Sequence, residues 1–130
     1  MKKRSDNPMA SKTVLVVDDN DMNRKLLEGM LQIVQAQMLS AGDGAEALRQ
    51  TRTHSPDLIL MDVQLPDMEG FDVVAEIRQD AALATIPYFY LTGNITAECR
   101  RHAEAEDCLG IVQKPISVAE FIETLKEVLA

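Results

Sequence analysis

Asp18 and Asp19 follow the apolar run 14–17, Asp62 closes the run 58–61, Thr92 closes 88–91 and Lys114 closes 109–113. Three carboxylates, a hydroxyl and an ammonium are the groups that phosphate and hard-metal chemistry uses. Carboxylate oxygens suit Mg2+, which takes one or two of them together with waters and phosphate. A threonine hydroxyl donates to one phosphate oxygen and a lysine places a point charge on another. Asp62 is the best candidate nucleophile, because a carboxylate forms an aspartyl phosphate where a metal offsets the repulsion of the incoming group. Taken singly, each residue has an ordinary reading: an acid solvating a loop or capping a helix, a strand-end threonine, a solvent lysine. Their shared position at the ends of four apolar runs is what points to a site. Asp18 and Asp19 are adjacent, so in extended chain they face opposite sides, and only one of them faces the site unless the strand is already turning.

Those runs alternate with helical patterns. Leu26, Leu27, Met30, Leu31 and Val34 recur at helical spacing after the first run, with Asn20 or Asp21 as the cap. Residues 37–41 form the weakest strand candidate, leading through Gly42, Asp43 and Gly44 into a helix carrying Ala45, Ala47 and Leu48 that stops before Pro56. The run 58–62 is continuously apolar until its aspartate, as in a strand buried on both faces. Beyond Pro66 and Gly70, Phe71, Val74, Ala75 and Ile77 predict a third helix, and Pro87 opens the fourth run. Residues 96–106 are helical by composition with little beyond alanine to bury, which predicts the loosest helix. Val118, Phe121, Ile122, Leu125 and Val128 pattern the last helix, capped near Ser117. Five βα units with right-handed crossovers predict a doubly wound α/β fold, a five-stranded parallel sheet covered by helices on both faces.

A chain of 130 residues, 46% of them hydrophobic, fits one domain with a sizeable core. The basic and polar residues 1–10, with Pro8 and no periodicity, read as a flexible N-terminal tail, leaving 11–130 as the domain. Thirteen basic against 21 acidic residues give a net charge of −8, which argues against direct nucleic-acid binding. Cys99 and Cys108 have neither redox-pair nor zinc-ligand spacing and read as free thiols. No apolar run approaches the roughly 18 residues of a membrane span, and no apolar signal segment follows the first four residues, so a cytoplasmic protein is expected.

VLVVDD at 14–19, DVQLPDMEG at 62–70, Leu91-Thr92-Gly93 and Lys114-Pro115 together resemble the receiver domain of bacterial two-component response regulators, of the CheY-like superfamily. The resemblance covers residues 11–130 and implies a flavodoxin-like sheet of strand order 2-1-3-4-5. It implies that Asp62 accepts a phosphoryl group from a sensor histidine kinase or histidine phosphotransfer protein. It also implies that Asp18, Asp19, Asp62 and the backbone carbonyl of Gln64 surround Mg2+, with Thr92 as switch hydroxyl and Lys114 as phosphate partner. The Lys114-Pro115 bond is commonly cis in such domains. The resemblance further implies that Gln64 and Asn94, two residues beyond Asp62 and Thr92, flank the attacking water and tune dephosphorylation. Phosphorylation would switch the face of the fourth helix, fifth strand and fifth helix toward a downstream protein target, with Ile95, Glu98, Ile111 and Glu120 as candidates. A kinase or phosphotransfer helix would instead meet the first helix and the site loops near Met22, Asn23 and Pro115.

Two positions depart from the family. Ile111 stands where an aromatic ring usually couples to the threonine, and Leu65 replaces the usual methionine before proline, a volume-conserving exchange. Other chemistries fit less well. Asp19-x-Asp21 is similar to the nucleophile motif of haloacid-dehalogenase-like phosphatases, but no cap insertion is present and Asp62 stands where that family has Ser or Thr. A calcium loop starting at Asp19 fails at Arg24 and Met30, where glycine and a bidentate glutamate are needed. Gly42-Asp43-Gly44 lacks the ending of a P-loop. The remaining rival is a receiver-fold binding module that works without phosphorylation. The end of the chain directly after the last helix leaves either a stand-alone receiver or a piece of a longer protein as the expectation.

Overall fold

The computed structural model describes residues 12–130, so the expected tail at 1–10 lies outside the described residues. Short runs of valine, leucine, isoleucine and aromatic residues form β1 (Thr13–Val17), β2 (Gln37–Ala41), β3 (Leu58–Asp62), β4 (Tyr88–Thr92) and β5 (Cys108–Gln113). Between and after them lie α1 (Asp21–Ile33), α2 (Gly44–His54), α3 (Gly70–Arg78), α4 (Ala97–His102) and α5 (Val118–Leu129). The strands are parallel and ordered β2-β1-β3-β4-β5, as the resemblance implied.

The continuous apolar runs are explained by what covers each face. Leu15, Val17, Ile59, Met61, Tyr88 and Tyr90 point to a core closed by α2, α3 and Cys99 of α4. Val14, Val16, Leu58, Leu60, Phe89 and Leu91 alternate with them and meet Leu27, Met30 and Leu31 of α1 and Phe121, Leu125 and Leu129 of α5. Alternation along a strand thus feeds two cores, and neither face can be polar. At the edge, β2 buries only Ala41 completely, which is why its pattern is weak.

Local chemistry sets the helix starts. Asn20 caps α1 by accepting the Asn23 N–H at 3.1 Å, and Asp43 caps α2 by accepting the Glu46 N–H at 2.8 Å. A capping box between Glu69 and Asp72 opens α3. Ser117 sits at the N-cap of α5 without a side-chain hydrogen bond. The chain differs from the sequence reading in detail. Leu26 is exposed, and in α3 Val73 is buried while Ala75 faces outward. The expected helix over 96–106 shrinks to six residues, because Cys99 is the one buried side chain it offers the core. Thr96 caps it, and the chain turns through residues 103–107 before β5.

Glycines at close approaches make a direct test. A Cβ at Gly70 would meet the Asp62 carbonyl oxygen at 2.2 Å, whereas one at Gly29, on the exposed side of α1, meets nothing within 4 Å. Gly70→Ala should cost about 3 kcal/mol of unfolding free energy. Gly29→Ala should stabilise by about 0.5–1 kcal/mol through helix propensity. Urea unfolding that gives both the same sign would contradict this reading of the two backbones.

Candidate functional site

Parallel register brings the strand ends level. Val17 of β1 pairs with Met61 of β3, and Asp62 pairs with Leu91 of β4, which precedes Thr92. Backbone hydrogen bonds continue past the strands: Asp18 N–H donates to Ala41 O at 3.0 Å, Val63 N–H to Leu91 O at 3.0 Å and Lys114 N–H to Thr92 O at 2.8 Å. The residues at the carboxyl edge are therefore placed by the sheet itself. Asp18, Asp62 and Thr92 are buried, and Asp19 is exposed.

Lys114 joins the site. Its Nζ donates to Asp18 Oδ2 at 2.8 Å and to Asp62 Oδ2 at 2.9 Å. Asp18 is saturated further by the Asn20 N–H on Oδ1 at 2.9 Å and by the Asn23 side-chain amide on Oδ2 at 3.1 Å. The remaining oxygen of Asp62 accepts the Gln64 N–H at 3.2 Å. Asp18 is buried and Asp19 exposed, yet both reach the same cluster. Carboxylate oxygens of Asp18, Asp19 and Asp62 all lie within 4.8 Å of one another. One ammonium among three carboxylates leaves two negative charges without a counter-charge, which fits a divalent cation with oxygen ligands.

Burial is the largest influence on the Asp62 carboxyl and holds it above the usual carboxylate range; Lys114 pulls it down and Asp18 pushes it up again. Burial works against the Lys114 ammonium, but its hydrogen bonds to Asp18 and Asp62 outweigh this and raise it.

Of the other predicted positions, Thr92 exchanges hydrogen bonds with its own loop, donating to Asn94 O at 3.1 Å and accepting the Asn94 N–H at 3.2 Å. Gln64 forms an isolated antiparallel bridge with Glu69 across the β3–α3 loop. Lys114-Pro115 is cis, and Pro115 is exposed beside the site. Ile111 pairs with Tyr90 and packs on the core that includes it. Although position 111 is aliphatic, rings still connect β4 to α4. Tyr90 meets Phe71 edge-on at 5.1 Å between centroids, and Phe71 stacks on His102 at 3.9 Å. Cys99 and Cys108 are free thiols, both raised in pKa by burial.

Sequence reasoning assigned Asn23 to a partner surface and passed over Arg24. Asn23 turns its amide onto Asp18, while the Arg24 guanidinium bonds the Asp18 carbonyl and the Asp21 carboxylate, bracing the β1–α1 turn. Their spacing in the first turns of α1 was the available signal.

The five-stranded parallel sheet in order 2-1-3-4-5, with three carboxylates and a lysine gathered at its carboxyl edge, places the chain among doubly wound α/β domains. The chain belongs to the response regulator receiver domain family, whose model matches residues 14–126, and it is thus a receiver of two-component signalling. It is 36% identical over 119 residues to the polar-differentiation response regulator DivK of Brucella ovis, covering 92% of this chain and 97% of that protein. Chemotaxis protein CheY4 of Vibrio cholerae superposes with a TM-score of 0.82 at 30% identity, over 91% of this chain and 98% of that one. The receiver domain of a sensor histidine kinase from Pseudomonas aeruginosa, solved with a magnesium ion coordinated in its active-site cleft, superposes at 0.80 and 28% identity, over 91% and 97%.

Removing the shared cation separates the roles of the charges. Without added metal, Lys114→Met should lower unfolding free energy by about 2–3 kcal/mol, since two buried carboxylates lose their partner. Asp62→Asn relieves a crowded charge and should be neutral or stabilising. A costless Lys114→Met would show that the bridge does not hold the strand ends together.

Proposed function

We propose that Asp62 is the phosphoacceptor of this receiver, loaded by a phosphohistidine of a sensor histidine kinase or histidine phosphotransfer protein. The observation that carries the reading is the Lys114 ammonium shared between Asp62 and Asp18 inside a cluster two charges short of neutrality. Asp18, Asp19, Asp62 and the Gln64 backbone carbonyl are the residues that would hold Mg2+. Bound there, Mg2+ supplies the positive charge that lets an anionic phosphoryl group approach a carboxylate. The relative with a coordinated magnesium ion supports the assignment.

In the transfer, an Asp62 carboxylate oxygen forms the new bond to phosphorus as the nitrogen–phosphorus bond of the donor breaks, and the donor imidazole recovers a proton from solvent. The phosphoryl group brings about −1.5 to −2 charges. Lys114, already 2.9 Å from Asp62, is the cation that meets this charge. Thr92 must give up its two contacts with Asn94 before its hydroxyl can turn inward, so the loop after β4 and α4 move with it. The surface that reads this movement is α4, β5 and α5, including Ile95, Glu98, Ile111 and Glu120. Ile111 and Glu120 line an open groove between β5 and α5. Met22, Asn23 and Pro115 border the face that receives the kinase or phosphotransfer helix. Gln64 and Asn94 tune the lifetime of the aspartyl phosphate. The receiver unit spans 11–130 and works in the cytoplasm as a signalling phosphoacceptor rather than a turnover enzyme.

Acetyl phosphate with Mg2+ tests this. Base-labile phosphate should map to Asp62, disappear in Asp62→Asn and require the divalent ion. Phosphate on Asp19 would favour a phosphatase-like site, and none at all would favour a binding module independent of phosphorylation. In a Gln64→Ala/Asn94→Ala double variant the decay rate should change by about tenfold, near 1.4 kcal/mol in barrier, with less effect on loading. Unchanged decay would remove the tuning role.

A further inference from the structure

The loop from Val63 to Glu69 carries the Gln64 carbonyl, and its base is tightly closed. Gly70 N–H donates to Val63 O at 2.7 Å, Gln64 bridges Glu69, and the Gly70 Cα lies against the Asp62 carbonyl. The outer half of the loop is held by something else. Asp67 reaches across to the start of α2, where its Oδ1 accepts the Gly44 N–H at 2.7 Å and its Oδ2 the Ala45 N–H at 3.0 Å. These are amides that a helix start leaves without intrahelical partners. They hold the Asp67 carboxyl below the usual carboxylate range, the Gly44 N–H contributing most.

The neighbouring residue completes the clamp. Met68 lies so close to Gly44 that a Cβ there would meet its Cγ at 2.4 Å and its Sδ at 2.7 Å. α2 does not need Asp67 to begin, because Asp43 already supplies its N-cap. The helix itself is fixed by buried Ala47, Leu48 and Thr51. A second carboxylate from a separate loop, 22 and 23 residues away, therefore serves the loop more than the helix.

We infer that Asp67 is a positioning residue: by clamping the β3–α3 loop onto the N-terminus of α2, it fixes the Gln64 carbonyl relative to Asp62 and so sets the affinity of the acid cluster for a divalent cation. This rests on the reading of that cluster as a Mg2+ site. Mutation of groups that orient metal ligands commonly costs about tenfold or more in affinity. The contacts come from elements far apart in sequence, so the effect depends on tertiary docking.

Mg2+ titration calorimetry and amide hydrogen exchange on the full chain test it with Asp67→Ala, Asp67→Asn and Asp43→Ala. Asp67→Ala should speed exchange at Gly44, Ala45 and loop residues 63–69 and weaken Mg2+ binding by about tenfold. Asp67→Asn keeps one accepting oxygen and should fall between Asp67→Ala and the parent. Asp43→Ala removes the helix cap and should speed exchange in α2, yet leave Mg2+ affinity within about twofold, which separates positioning from helix stability. Parent-like Mg2+ affinity in Asp67→Ala, or equal losses in Asp67→Ala and Asp43→Ala, would overturn the inference while leaving the metal site standing. Failure of the parent chain to bind Mg2+ would instead bring down the site reading and this inference with it.

Discussion

One ammonium holds the carboxyl edge of the sheet together. Lys114 bonds Asp18, 96 residues earlier, and Asp62, 52 residues earlier, and thereby ties the ends of β1, β3 and β5 at one point. Its own position is set by the backbone bond from its N–H to Thr92 O. It is one positive charge shared by two acids, and Asp19 adds a third carboxylate. Three carboxylates around one ammonium leave this edge short of positive charge. Burial strengthens these interactions because water screens them less.

The rest of the fold keeps that edge rigid. Two apolar layers close on opposite faces of β1, β3 and β4, so each central strand is locked on both sides and its terminal residue cannot drift. The loops are fixed by different devices. Asn23 and Arg24 brace the turn that carries Asp18 and Asp19. Gly70 permits the β3–α3 loop to fold back against Asp62, and Asp67 ties its tip to α2. By contrast, the loop after β4 is held by hydrogen bonds between Thr92 and Asn94, and α4 beyond it is a six-residue helix. Tertiary hydrogen bonds from side chains are concentrated on the loops that carry the carboxylates, and the loop after β4 is held by contacts within itself.

Ile111 packs on the core beside Tyr90, its register partner on β4. A column of rings runs from Tyr90 of β4 through Phe71 of α3 to His102 of α4, beside the buried Cys99 that α4 sets into the same core. Phe71 directly follows Gly70, the residue packed against Asp62, so this column starts beside the site.

Strand runs, helix faces and the ordered motifs ending in Asp18, Asp19, Asp62, Thr92 and Lys114 were legible in the linear chain, because alternation and apolar runs are local consequences of burial. Weak periodicity misled where burial was slight: residues 96–106 offered one side chain to the core, and helix propensity alone did not extend α4 past His102. Leu26 and Ala75 match a helical face yet lie outside the contact, since a stripe's edges are decided by the neighbouring element. Residue types and order by themselves determined which strand ends carry Asp18, Asp19, Asp62, Thr92 and Lys114, and so that these residues share one edge of the sheet. Only the tertiary structure decided that Lys114 is divided between Asp18 and Asp62, that Asn23 turns inward, and that Asp67 belongs to α2. Those contacts join positions with no fixed sequence spacing, and their hydrogen-bond distances arise only when the sheet register and the packed helices bring the loops together.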